Sequence, residues 1–282
     1  MKIINGQLIF ENHGPAKIVV VVHADHYDKH FTNDHHVLWN NFYEYQFSHA
    51  SEVASFVVAT PAQKKVLEGQ FQKYYHITPR VDCIPVGSLL KLTYPVKKRE
   101  PFSLITASRL AKEKHLDWIV KAVIAAKNQI PELKLNIYGN EGAALDEMIK
   151  NHQAGDYIHL KGQHDLKDIY VKYPAYIAAS TSEGFGLSLL EAIGSGLAMI
   201  GFDVPYGDPT FIKNNENGYL LPYDEDWNEY RKVELLTKAI IKLFKQSDLK
   251  AFNEKSYQIA EPYLTDRVAK QWKEVLGELT ND

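Results

Sequence analysis

The chain has 282 residues, enough for about two domains that each bury a core. Charged residues make up 24% and the formal net charge is −3, so no basic footprint for nucleic acid is present. No apolar run approaches the roughly 18 residues of a membrane span, MKIINGQLIF is no signal peptide, and the sole cysteine, Cys83, excludes a disulfide within the chain.

In chain order, Asn5-Gly6 suggests a hairpin turn. The β-branched run Ile18 to Val22 predicts a strand buried on both faces. Trp39 to Ser51 reads as a helix, Phe56 to Ala59 as a strand, Pro61 to Tyr75 as a helix with Pro61 in its first turn, and Val81 to Pro85 as a further strand. Gly87 to Pro101, rich in lysine and carrying Pro95 and Pro101, reads as a linker. From there strands are expected at Phe102 to Ala107, Leu133 to Tyr138, Tyr157 to Leu160, Ala175 to Ala179, Ala198 to Phe202 and Gly218 to Leu221. Helices are expected at Lys114 to Asn128, Glu141 to His152, Leu166 to Lys172, Ser188 to Ser195 and Pro209 to Asn214. This alternation implies an α/β protein whose second part is one complete, doubly wound parallel-sheet domain. The first hundred residues offer only about three strands, an incomplete N-terminal α/β domain, and Arg231 to Leu279 is a run of amphipathic helices.

The stretch EGFGLSLLEAIGSG carries the densest chemistry. Gly184 and Gly186 let the backbone approach a ligand, and the helix that follows presents N–H groups and a positive dipole end, an anion site. Glu183 enters this cradle from one side and Glu191 lies a turn into the helix. Together they suggest a phosphate cradle with hydroxyl-binding carboxylates, a sugar-nucleotide site; the plain alternative is a structural turn between strand and helix. Arg109 and Lys114 follow the strand ending at Ala107, where ligands of open α/β sheets bind, and can converge on one diphosphate. Gln163 and His164 lie in a loop whose backbone could meet a flat base. His23 ends the strand Ile18 to Val22 and is read as a substrate contact. His23, Asp25, His26 and His30 could also be read as a metal site, but no second ligand cluster follows; His35 and His36 are read as surface residues.

These residues resemble the retaining family 4 glycosyltransferases of GT-B architecture, through Arg109, Lys114, the loop at Gly162 to Asp165, and Glu183 with Glu191 spaced as E-x7-E. HAD after an N-domain strand, EGFGLSLLEAIGSG and DVPYGDPTFI at Asp203 to Ile212 look like a bacterial subgroup that glycosylates serine-rich-repeat adhesins or wall teichoic acid. The resemblance implies a GT-B fold, with a partial N-terminal domain over residues 1–86, a linker over 87–101 and a UDP-sugar-binding Rossmann-like domain over 102–260. A C-terminal helix over 261–282 would pack back on the N-terminal domain. Arg109 and Lys114 are assigned to the donor diphosphate, Glu191 to the ribose, and Glu183 with the backbone of Gly184, Phe185, Gly186 and Leu187 to the donor sugar and phosphate. His23 would contact the donor sugar, and Gln163 or His164 the uracil. The expected donor is UDP-GlcNAc or UDP-glucose, with no metal or other cofactor and no nucleic acid partner. The acceptor would be a Ser/Thr-rich protein or teichoic acid, and the location cytoplasmic, extending to the inner face of the membrane.

The family's N-terminal domain begins with a strand and a glycine-rich loop that closes over the phosphates, and no such loop precedes His23. The chain is therefore expected to be the later part of a longer enzyme and to need its other portion, a homologous partner subunit or self-association. The rival is a catalytically weak sugar-nucleotide-binding subunit that stabilises a partner. A glycosidase using Glu183 and Glu191 would need carboxyls roughly 5–9.5 Å apart across one bond, and leaves the cradle without a purpose.

Overall fold

The computed structural model describes residues 14–23, 46–109, 111–140 and 142–281. By compactness the chain divides into two units, one of residues 1–86 with 266–282 and one of residues 87–265. Among the described residues no helix is long and apolar enough to cross a membrane.

The first unit holds a parallel sheet of β1 (Ile18–Val22), β2 (Val53–Val58) and β3 (Val81–Cys83), in that order. Pro61 opens α1 (Pro61–Gln70), where Thr60 accepts from the Gln63 amide as the N-cap, and a π-helical turn at Phe71–Tyr75 extends it. Strand β1 is not buried on both faces as its composition suggests. Ile18 and Val22 are buried, but Val21 is 43% exposed, because β1 pairs only with β2 among the described residues. The Asn5-Gly6 turn, most of the Trp39 to Ser51 helix, and Asp25, His26, His30, His35 and His36 lie outside the described residues.

The second unit is a six-stranded parallel sheet of β4 (Ser103–Ala107), β5 (Lys134–Tyr138), β6 (Ile158–Leu160), β7 (Ala175–Ile177), β8 (Ala198–Phe202) and β9 (Gly218–Leu221). Its order is β6-β5-β4-β7-β8-β9. The connections run outward from β4 in one direction and from β7 in the other, the doubly wound arrangement. The point where the order reverses lies between β4 and β7; in open α/β sheets as a class, such a crevice outside the carboxyl ends is where ligands bind. Strands β4, β7 and β8 are buried along their whole length, as helices on both faces require. The crossovers include α2 (Leu116–Lys127), α3 (Ala143–Asn151), α4 (Leu187–Gly194) and α5 (Gly207–Phe211); α6 (Glu229–Gln246), α7 (Leu249–Ala260) and α8 (Thr265–Asn281) complete the chain.

Several expected elements differ in their bounds: β2 starts at Val53 rather than Phe56, and β3 and β7 stop two residues early, at Cys83 and Ile177. Helix α2 begins at Leu116, not Lys114, because residues 112–114 form a 3-10 turn closed by His115 in the left-handed region. The helix expected over Leu166 to Lys172 contracts to a 3-10 turn at Tyr170–Lys172. Helix α5 starts two residues early, at Gly207, where Gly207 N donates to Glu183 O at 3.0 Å.

Candidate functional site

The turns after β4, β5 and β6 are tied together by backbone. Ser108 N donates to Tyr138 O at 3.1 Å, and Gly139 N donates to Gly162 O at 3.0 Å. A Cβ on Gly139 would lie 2.0 Å from Ser108 O, so only glycine permits this approach. Between these turns and α4 opens a cleft of about 190 Å³. Arg109, Gln163, His164 and Glu191 all line it, with Tyr170 and Ser188. The His164 ring meets Tyr138 edge-on at 5.8 Å. Tyr170, buried, donates from its hydroxyl to Glu191 Oε2 at 3.2 Å. Desolvation on the inner side of Glu191 raises its carboxyl from the ordinary value, the Tyr170 hydrogen bond opposes that shift, and the charge of Asp165 adds to it.

At the loop that leads into α4 stands an ion pair. Lys114 Nζ lies 2.5 Å from Glu183 Oε2, with both side chains mostly shielded from solvent. The Lys114 turn is fixed by Thr181 N, which donates to Glu113 O at 2.9 Å. Glu183 is held through its backbone: its N–H donates to Pro205 O at 3.1 Å, and its carbonyl accepts from Tyr206 and Gly207. Gly186, the residue before α4, has φ 84°, and a Cβ there would meet Leu189 Cδ1 at 2.7 Å. The residue before α4 is a glycine and gives no side-chain cap, so the positive end of the helix dipole at its first amides is not met by a capping side chain. Tyr176 donates to Ala107 O at 3.0 Å and contacts Ser188 Oγ at 3.1 Å, bracing the start of α4 against the end of β4; burial pushes its hydroxyl up to about 12.

The structure thus gathers Arg109, Gln163, His164 and Glu191 in one cleft and joins Lys114 to Glu183 beside the Gly184–Leu187 turn. His23 follows β1 in the first unit, exposed, and its assignment rests on the family resemblance. Among the described residues no group of three or more His, Cys, Asp or Glu side chains could hold a metal ion. Sequence reasoning passed over Ser108, Tyr138, Gly139 and Asn140 in the cleft wall. The rule that ligands lie at the carboxyl ends of strands would have found Tyr138 to Asn140, since they end β5. Tyr170 gives no such signal, because its partner Glu191 is brought to it only by the fold.

A protein of Limosilactobacillus reuteri subsp. suis, described as the GtfA subunit of a UDP-N-acetylglucosamine–peptide N-acetylglucosaminyltransferase, is 59% identical over 280 residues, covering 99% of this chain and 55% of that protein. The crystal structure of the pneumococcal O-GlcNAc transferase GtfA in complex with UDP and GlcNAc superposes with a TM-score of 0.91 at 51% identity, covering 98% of this chain and 55% of that one. A crystal structure of a GtfA/B complex matches equally, with a TM-score of 0.91 at 50% identity over 98% of this chain and 56% of that one. The chain therefore spans about half the length of the relatives it matches, and its fold is the GT-B form of the α/β class. Residues 94–258, more than half of the chain and the whole of the sheet that carries the cleft, match the pattern of one family, and this chain belongs to it: the glycosyl transferases group 1.

Proposed function

We propose that this chain binds UDP-N-acetylglucosamine and takes part in transferring the sugar, with retention of configuration, to a serine or threonine of a peptide. The observation that carries the reading is the uncapped start of α4 set between the Arg109–Glu191 cleft and the Lys114–Glu183 pair. The family match supports the transferase, and the names of the similar proteins support N-acetylglucosamine over glucose and a peptide over teichoic acid.

In this reading Gln163 and His164 meet the uracil, and Glu191 takes the ribose hydroxyls. Arg109, Lys114 and the first amides of α4 hold the diphosphate, while Glu183 and the Gly184–Leu187 backbone hold the sugar. An arriving diphosphate draws Lys114 away from Glu183, which frees that carboxylate for sugar hydroxyls. As the bond between C1 and the diphosphate oxygen breaks, the acceptor oxygen bonds to C1 on the same face. Its proton passes to the departing phosphate oxygen, leaving UDP and the glycosylated hydroxyl. Negative charge grows on the diphosphate along this path, so two fixed cations and a helix end stabilise the transition state more than the ground state. Those groups supply the positive charge locally, and the site needs no divalent cation.

A second reading is favoured by the likeness to a chain of the GtfA/B complex: a sugar-nucleotide-binding subunit that supports a homologous partner. UDP release from UDP-N-acetylglucosamine in the presence of a serine-rich peptide, measured with and without that partner, tests both. Turnover by the chain alone supports the first reading, turnover only with the partner supports the second, and absence of turnover in both overturns the transferase proposal.

A further inference from the structure

Arg99, in the segment that leads into β4, is half-buried, and among the described residues its partners are two backbone carbonyls and a hydroxyl. One terminal nitrogen of its guanidinium donates to Tyr173 O. The other donates to Ser195 O at 2.7 Å and lies 3.3 Å from the Tyr257 hydroxyl. Ser195 directly follows α4, where the last carbonyls of a helix lack donors of their own and a cation is favoured. Capping a helix accounts for one of the two carbonyls and leaves the other unexplained. Both belong to segments that meet at the donor cleft. Ser195 N donates to Glu191 O at 3.0 Å, and Tyr173 N donates to Tyr170 O at 3.0 Å. The Tyr170 hydroxyl in turn donates to Glu191 Oε2 at 3.2 Å. Arg99, Ser195, Glu191, Tyr170 and Tyr173 thus close one ring of hydrogen bonds, wholly within the second unit.

We propose that Arg99 is a positioning residue: by bridging Tyr173 and Ser195 it holds two segments at the spacing that lets Tyr170 reach Glu191, and so fixes the carboxylate read as the ribose contact. The proposal rests on the donor-site reading. A guanidinium presents its N–H donors in a rigid planar fork, so one side chain can set the distance between two carbonyls. A lysine, a point charge on a flexible stem, cannot. Tyr173 carries the same brace to the cleft wall, where its hydroxyl stands 3.0 Å from that of Tyr138. The groups facing Glu191 are Tyr170 and Asp165, with Arg109, Tyr138 and His164 lining the same cleft. Arg99 donates to none of these, so its influence on Glu191 runs through the ring. The Tyr170 hydrogen bond favours the ionised carboxylate, and loosening the bridge weakens that support.

The full chain is tested as wild type, Arg99→Met, Tyr170→Phe and the double variant, with Arg99→Lys in place of the methionine variant should that fail to fold. The first readout is the acid titration of the Glu191 side chain by carbon NMR, its signal identified by its loss in Glu191→Gln. Arg99→Met should move that titration to higher pH, the direction expected of Tyr170→Phe, and should add nothing once the Tyr170 hydroxyl is gone. The second readout is UDP affinity by calorimetry over the same pH range. Arg99→Met should cost about three- to tenfold on the acid limb, the worth of one hydrogen bond. Tyr257→Phe is the control: it removes a hydroxyl 3.0 Å from Ser195 O but spares the bridge. It should lower the melting temperature and leave the Glu191 titration in place. An Arg99 variant whose Glu191 titrates as in the wild type overturns the proposal while UDP binding still upholds the donor site. So does a shift of the same size without the Tyr170 hydroxyl, or an equal shift in Tyr257→Phe. If UDP binds no form, wild type included, the donor-site reading falls and the positioning role falls with it.

Discussion

Arg109 is exposed at the mouth of the cleft, beside backbone that Gly139 brings close to Ser108. Nothing in its position serves the core, so Arg109→Ala should leave the melting temperature nearly unchanged. It should weaken UDP by on the order of 1.5–3 kcal/mol, the range for hydrogen bonds to charged groups, and uridine hardly at all. Equal losses for the two ligands would make Arg109 structural. Glu191 and Glu183 separate in the same way: Glu191→Gln should cost UDP affinity, and Glu183→Gln should cost the added affinity for the sugar. The reverse pattern would exchange their roles. The pH dependence follows from the Glu191–Tyr170 contact. Desolvation raises the Glu191 carboxyl, so the ionised form that the proposed ribose contact requires is lost at a higher pH than for an ordinary glutamate. The same shift makes its contribution to stability largest below the unfolded value and lost as pH rises through the folded one. Tyr170→Phe removes the hydrogen bond that holds the ionised form. It should move the acid limb of UDP binding to higher pH; an unmoved limb would show that Glu191 does not control it.

At the scale of elements, the turn into α4 depends on a left-handed residue. Gly186→Ala introduces strain at φ 84° and a contact with Leu189 Cδ1 at 2.7 Å. A loss of about 1 kcal/mol or more in denaturant unfolding is expected, with weakened UDP binding because the α4 amides shift. Unchanged values for both would remove the cradle from the account. The inner strands β4, β7 and β8 of the second sheet were legible because fully buried parallel strands are largely apolar runs, as in β8. Strand β2 was less so. It starts at Val53, and Ala54 and Ser55 carry little strand propensity; Ser55 is there to donate to Asp82 at 2.7 Å on β3. The Leu166 to Lys172 region has an apolar helical spacing, yet Asp165 accepts from the Lys167 amide and turns the chain before a helix can form. Arg109, Lys114, Glu183 and Glu191 were legible as local spacings after strands. The Lys114–Glu183 pair was not, because it joins segments from different crossovers of the sheet.

At the scale of the molecule, the chain returns at its end to its first unit. Val268 of α8 is 2% exposed and packs with Val57 and Ile84, and Trp272 and Val275 lie against the same cluster. Arg80 reaches Glu278 at 2.6 Å, an exposed pair that adds little by itself. Val268→Asp would bury an unpaired charge and should destabilise the first unit by several kcal/mol, while the cleft of Arg109 and Glu191, built wholly in the second, should keep the proposed UDP binding. Loss of both together would show that the units do not fold independently. The central claim is that this chain carries a metal-independent UDP-sugar site at the switch point between β4 and β7. Titrating the wild-type chain with UDP in EDTA, then with added magnesium or manganese, tests it most directly. The account predicts binding in EDTA that is unchanged by either cation; binding that appears only after the cation is added, or never, would contradict it.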